Sequence, residues 1–197
     1  MIFFGDFELG LIATDNNWSS IETTSNITLS DNDLTATSSA DNQQVEIESV
    51  LPDGRSYFEV EIVTNTSTTS STVGVARVSY DDTSPGLLGF SADAGSGGYT
   101  SNGAFRISGA VTGGKTPWGG GDVIMVARDK ANGRIWFGVN GVWDGDPAAG
   151  TGQAGVLNVG LDMHGIIFLK GLGSEFKLVP DAASQTYPAP TGFTAIG

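Results

Sequence analysis

The 197-residue chain contains no cysteine. A disulfide framework, a thiolate nucleophile and a cysteine-based zinc site are therefore excluded. Histidine is nearly absent too: His164 is the single one. With no G-x-S-x-G elbow beside it, a serine hydrolase would have one base and no nucleophile turn. His164 stands next to Gly165 at the entry of an apolar segment and reads as a turn or loop histidine. Basic residues are scarce. Lys and Arg number 9 against 22 Asp and Glu, a net charge of −13. Nucleic-acid binding needs a basic face, and an anionic membrane would repel such a chain, so neither partner is expected. No apolar run approaches the roughly 18 residues of a membrane span. The opening "MIFFGDFELG" has no basic region and reaches Asp6 and Glu8 at once, so a secretory signal and membrane insertion are not expected. Neither "GGGD" nor "GSGG" leads into a helix or a G-K-[ST] triplet, which removes phosphate cradles.

What the chain has instead is glycine, 29 residues, about twice the average usage. Charged residues are 16%, against roughly 25% in ordinary domains, so Ser, Thr, Asn and Gly must build the surface. No window shows helical periodicity over three turns. Period-2 segments recur between turn signals instead, the rhythm of an all-β sandwich or barrel. Ile27 and Leu29 precede a turn at Asp31–Asp33, followed by Leu34 and Ala36. Val45 and Ile47 alternate with Glu46 and Glu48, and Phe58, Val60 and Ile62 with Tyr57, Glu59 and Glu61. Val73 and Val75 are set against Gly74 and Ala76, and Phe105 and Ile107 follow. Ile166 and Phe168 are expected to face Phe176 and Leu178 across a Gly171–Gly173 turn.

The stretch "GDVIMVARDKANGRIWFGVNGVW" is the most regular part of the chain. Residues 123–128 read as a central strand and Arg134–Val139 as its return, with Ile135, Phe137 and Val139 on one face. Asn132-Gly133 and Asn140-Gly141 supply the positive φ angles that hairpin turns need. Asp129 and Asn140 read as turn-makers. Polar or Gly-rich pieces at 64–73, 79–103 and 145–155 read as loops, and Tyr187, Phe193 and two prolines mark an ordered tail.

These segments resemble a known family. "GRSYFEVEI", "VGVA" and "GDVIMVARDKANGRIWFGVNG" follow the order of the SPRY (B30.2-like) pattern. Tyr57–Val60 match its first element and Val73–Ala76 its second. Gly121–Ile124, Asp129, Gly133, Ile135–Phe137, Asn140 and Gly141 match its third. The opening Asn26–Thr37 and the closing "TYPAPTGFTAIG" resemble SPRY-like proteins of bacteriophages. The resemblance spans about residues 18–197. It implies an all-β, two-sheet antiparallel sandwich of the concanavalin-like jelly-roll type, binding partners through loops at one edge, with no enzymatic activity and no cofactor. The phage subtype implies a virion component, either a head decoration or fibre, or a tail or receptor-binding protein. Its partners would be other capsid or tail proteins, a host surface glycan or protein, or further copies of itself. Residues 1–17 fall outside the pattern and are expected to form an attachment arm. The region between the second and third elements is Gly/Ser-rich here, where the family is richer in aromatics.

Two other classes stay open at this point. Glu59 and Glu61 share a strand face about 7 Å apart, and concanavalin-like folds include glycosidases, so a lectin-like domain that binds or cleaves carbohydrate is one. An intracellular adaptor is the other. The plainer reading of both glutamates, and of Glu46 and Glu48, is the wet face of half-exposed strands. Asp144 and Asp146 could offer oxygens to calcium, but Pro147 follows and no later Glu completes a loop, so no metal is expected. The binding candidates are loop residues: Tyr80, Asp81, Asp82, Tyr99, Trp118, Trp143 and Asp144. An aromatic in a Gly-rich loop can anchor a partner or fold back over the sandwich end. For Tyr80 and Trp118 both stand, while Trp136 is expected in the core.

Overall fold

A computed structural model of the chain describes residues 16–67, 71–78 and 95–197. Among these, the only helical segment is a 3-10 turn at Lys130–Asn132, and no helix is long and apolar enough to cross a membrane. Two sheets make the fold. The first has seven strands in the order β1 (Trp18–Thr23), β4 (Gln43–Ile47), β14 (Met163–Leu169), β6 (Thr72–Arg77), β7 (Ser96–Thr100), β8 (Ala104–Ile107) and β9 (Ala110–Thr112). The second runs β12 (Val142–Trp143), β11 (Arg134–Val139), β10 (Val123–Asp129), β5 (Arg55–Thr64), β15 (Glu175–Val179), β3 (Thr35–Ser38) and β2 (Ile27–Ser30). Two short strands complete it: β13 (Gly155–Val156) pairs with β11, and β16 (Thr194–Ala195) pairs in parallel with β5. Alternation left sandwich and barrel both open, and the two-sheet antiparallel jelly-roll sandwich that the family resemblance implies is the fold observed.

Alternation explains the core. Val45, Ile47, Phe58, Val60, Ile62, Val73, Val75, Phe105, Ile135 and Phe137 all turn into one cluster between the sheets. The turn joining β2 to β3 carries three successive left-handed residues, Asp31, Asn32 and Asp33, at φ 56°, 55° and 61°. Asp and Asn tolerate this region better than other non-glycine residues. Asn140 and Gly141 both have positive φ, as a two-residue hairpin loop between Val139 and Val142 requires. At the other Asn-Gly pair only Gly133 is left-handed, capping the 3-10 turn that Asp129 opens by accepting from the Asn132 amide.

Several expectations are corrected. β14 and β15 do not pair. β14 lies between β4 and β6, and β15 between β3 and β5, so the Gly171–Gly173 turn crosses from one sheet to the other. Ile167 and Leu169 therefore face the central core, while Ile166 lies on the opposite side of its strand against Ala76. The glycine-rich stretch at 79–103 contains strand β7 at its end. Gly74 and Gly98 lie opposite each other, and a Cβ on Gly74 would lie 2.1 Å from the Gly97 carbonyl oxygen. His164 is inside β14, buried, with Nδ1 donating to the Ile47 carbonyl at 2.7 Å.

The largest correction concerns the outer face of the second sheet. Tyr57, Glu59, Met125, Ala127 and Trp136 share that face, as alternation predicts, yet they are buried. The segment after β15 returns across them, with Phe193, Tyr187 and Ala189 packed on Tyr57 and Trp136. Trp136 is buried here, outside the central core, and its indole donates to the Thr151 carbonyl at 2.9 Å. Glu59 is fully buried. Its carboxylate accepts from the Tyr57 hydroxyl at 2.6 Å and from the Thr186 and Tyr187 amides at 2.8 Å each. Glu46 is buried as well, against expectation, whereas Glu48 and Glu61 are exposed.

Candidate functional site

A cleft of about 490 Å³ opens at one margin of the sandwich, where both sheets reach an edge strand. One wall is the loop after β9, Gly114–Thr116, and the other is the β11–β12 hairpin, Phe137 to Asp144. Tyr99 of β7 and Phe137 of β11 line it, their ring centroids 5.9 Å apart. Both are buried members of the central core, so the floor of the cleft rests directly on that core.

The walls are held by short-range bonds. Lys115 N donates to the Gly103 carbonyl at 3.0 Å and Trp118 N to the Ser101 carbonyl at 3.1 Å, which pins the loop to the β7–β8 turn. The Tyr99 hydroxyl donates to the Thr116 carbonyl. On the other wall, Asn140 accepts from Val123 N at 2.9 Å and donates to the Asp122 carboxylate at 2.7 Å. Across the mouth, Lys115 Nζ meets Asp144 Oδ2 at 2.6 Å, and the same ammonium lies 5.0 Å from the Phe105 ring centroid. This is the one ion pair, among the described residues, that joins the two walls. Burial, with the nearby charges of Asp144 and Asp122, pushes the Tyr99 phenol up to about 12.

Strand parity decides which side chains enter. Val142 pairs with Val139 and Trp143 with Gly138. Val139 faces the core, so Val142 follows it toward the cleft side and stands 73% exposed at the rim. Trp143 turns the opposite way, onto the outer face, with its ring 6.0 Å from Tyr57. Gly138 gives it room there, since a Cβ would come within 3.2 Å of Trp143 Cε3.

Of the residues singled out in the sequence, Tyr99, Trp143 and Asp144 come together around this cleft. Tyr99 does so as a buried strand residue forming the floor, not as an exposed loop anchor. Of the two readings that stood for Trp118, the structure takes the folded-back one, against its use as an exposed anchor. Trp118 is buried between Tyr99 and Phe176, at 6.3 and 5.9 Å, because its loop folds back over the sandwich end. Tyr80, Asp81, Asp82 and the proposed arm up to Asp15 lie outside the described residues. Asp146 caps its own turn by accepting from Ala149 N at 2.9 Å, and no cluster of three or more metal-ligating side chains occurs among the described residues. Lys115 and Val142 were missed. Neither lies in a motif, and only the meeting of two sheet edges gives them a shared site.

A two-sheet antiparallel sandwich with a cleft at one margin defines the class of domain. Residues 55–164, more than half of the chain, match the SPRY domain family, and the chain belongs to it. The matched span contains all three sequence elements. The solved SPRY domain of human HERC1 superposes with a TM-score of 0.65 at 14% identity, covering 82% of this chain and 96% of that one. Stonustoxin superposes with a TM-score of 0.60 at 19% identity over 83% of this chain, which spans about a quarter of the toxin chain's length. These likenesses are of fold. No curated protein matches the chain.

Proposed function

We propose that this SPRY domain is a non-catalytic structural or adhesive component of a bacteriophage particle, engaging its partner through the cleft between the two sheet edges. The cleft carries the binding half of this reading: it is the place where core aromatics, an ion pair and an exposed valine meet on walls fixed by hydrogen bonds. Recognition surfaces placed on loops over a rigid scaffold are the common arrangement. The carboxylate pair weighed for glycoside cleavage supports a non-catalytic role. Glu59 is buried with three donors on its carboxylate, while Glu61 is exposed. Two hydrolytic carboxyls must both reach the scissile bond.

The particle half rests on the phage-like ends. Asn26–Thr37 forms most of the β2–β3 hairpin, and the closing segment supplies the covering of Tyr57 and Trp136. Both are integral to the sandwich, so the resemblance there extends to parts that build the domain.

Mass spectrometry of purified particles, with antibody labelling in electron micrographs, tests the assignment. Stoichiometric presence with labelled heads or tails is the expected result. Absence from particles, together with recovery of the chain in a complex inside cells, would overturn it in favour of an adaptor.

A further inference from the structure

We infer that the cleft is a socket for an apolar side chain carried on a basic segment of the partner, and that the Lys115–Asp144 ion pair is a clasp which the partner's own cation replaces. This deepens the binding role proposed above and rests on it.

The apolar half follows from the lining. Tyr99 and Phe137 form the floor and Val139 the inner wall, with Val142 exposed at the rim. Val142 is the apolar side chain of the cleft that stands well open to water, a standing incentive for an apolar group to pack on it, and a well-packed anchor of this kind carries much of the energy of an interface. The volume, about 490 Å³, lies within the roughly 300–1,000 Å³ of small binding pockets and admits an aliphatic or aromatic side chain with its neighbours.

The basic half follows from charge. Lys115 is the one cation of the cleft. Against it stand Asp144 in the lining and Asp122, bonded to the Asn140 wall, in a chain of net charge −13. Asp144 gives one oxygen to Lys115 and leaves the other available, and its side chain is 43% exposed. A lysine or arginine arriving beside the apolar anchor finds an acceptor in place and exchanges one ion pair for another. The exchange frees Lys115 to swing from the mouth. An acidic segment meets repulsion from the whole surface and from Asp144, and like-charge juxtaposition is an effective bar to wrong partners.

The test uses the full chain, labelled with 15N, titrated with three acetylated, amidated tripeptides, Lys-Leu-Lys, Lys-Ala-Lys and Glu-Leu-Glu, and with a neutral disaccharide. Lys-Leu-Lys should shift the amides of Lys115, Val142 and Asp144, at least fivefold more tightly than Lys-Ala-Lys and tenfold more tightly than Glu-Leu-Glu. Asp144→Asn should weaken Lys-Leu-Lys about tenfold and erase the preference over Glu-Leu-Glu. Val142→Ser should erase the preference for Leu over Ala. Both positions are solvent-accessible, and an unchanged melting temperature shows that the variants fold. Equal binding of the three peptides, no shifts at the cleft, or shifts there with the disaccharide alone would each overturn the inference. The chain's presence in particles is read separately, so the two proposals fail independently.

Discussion

Glu59 offers the sharpest test of how this domain is held together. Alternation placed it on a surface, and the returning C-terminal segment made it interior. Replacing it with glutamine keeps the shape and removes the charge. The amide oxygen can take over the two bonds that Oε1 accepts, from the Tyr57 hydroxyl and the Tyr187 amide. The new NH2 group then faces the Thr186 amide, which had donated at 2.8 Å, donor against donor. One buried backbone N–H loses its acceptor, at about 1–3 kcal/mol, and two surviving bonds lose their charge assistance. We expect Glu59→Gln to cost about 2–4 kcal/mol. Glu59→Ala orphans both amides and should cost more, about 3–5 kcal/mol. The Tyr57 hydroxyl is spared because the Tyr187 carbonyl lies 3.2 Å away as a second acceptor. Urea denaturation with a tryptophan signal measures the difference, and limited proteolysis reads whether residues 180–197 have come loose. A Glu59→Gln variant within about 0.5 kcal/mol of wild type, with its tail still protected, would refute the latch. It would also reopen the face to a catalytic reading.

Gly74→Ala should destabilise by about 3 kcal/mol or more, because its Cβ meets backbone at 2.1 and 2.7 Å that no side-chain rotation can relieve, and the same urea titration reads it. Asp129 accepts from Arg55 at 3.0 Å and from the Asn132 amide and side chain at 3.2 and 3.0 Å. Burial works to raise its pKa, but those hydrogen bonds outweigh it and hold the carboxyl below the usual carboxylate range. Its contribution is therefore complete above about pH 4, the unfolded value, and is lost as pH falls through the lower folded value. Asp129→Asn should cost about 1–3 kcal/mol at neutral pH and flatten the acid limb of a stability–pH curve. Tyr99, pushed up to about 12, stays neutral in the fold while an unfolded phenol ionises near 10. Its stabilising share is complete below pH 10 and falls away toward pH 12. Absorbance titration at alkaline pH should show Tyr99→Phe lacking a late-titrating phenol.

Strand positions were legible because period 2 is a local property. Val45, Phe58, Val73, Phe105 and Phe137 turned inward as their alternation predicted. Asp31–Asp33 and Asn140-Gly141 were readable for the same reason, since a left-handed turn leaves its mark in the residues that tolerate it. Pairing was less legible. A short glycine turn between two apolar runs looks like a hairpin, and nothing in "FLKGLGSEF" says that the chain steps to the other sheet. Trp118 stood undecided and Tyr99 was misjudged because exposure in a loop depends on what the loop folds against, here Phe176 and Phe137.

The sequence by itself determined that the protein is an antiparallel β-sandwich of the SPRY family, because periodicity, turn chemistry and a short motif order are written along the chain. Which faces are wet was decided only in three dimensions. The covering of Glu59 and Trp136 by a segment more than 50 positions away, and the meeting of Lys115, Val142 and Asp144 at one cleft, depend on contacts between distant residues. Alternation sorts side chains into two sets, but the packing of the sheets and the tail assigns each set to core, cover or site.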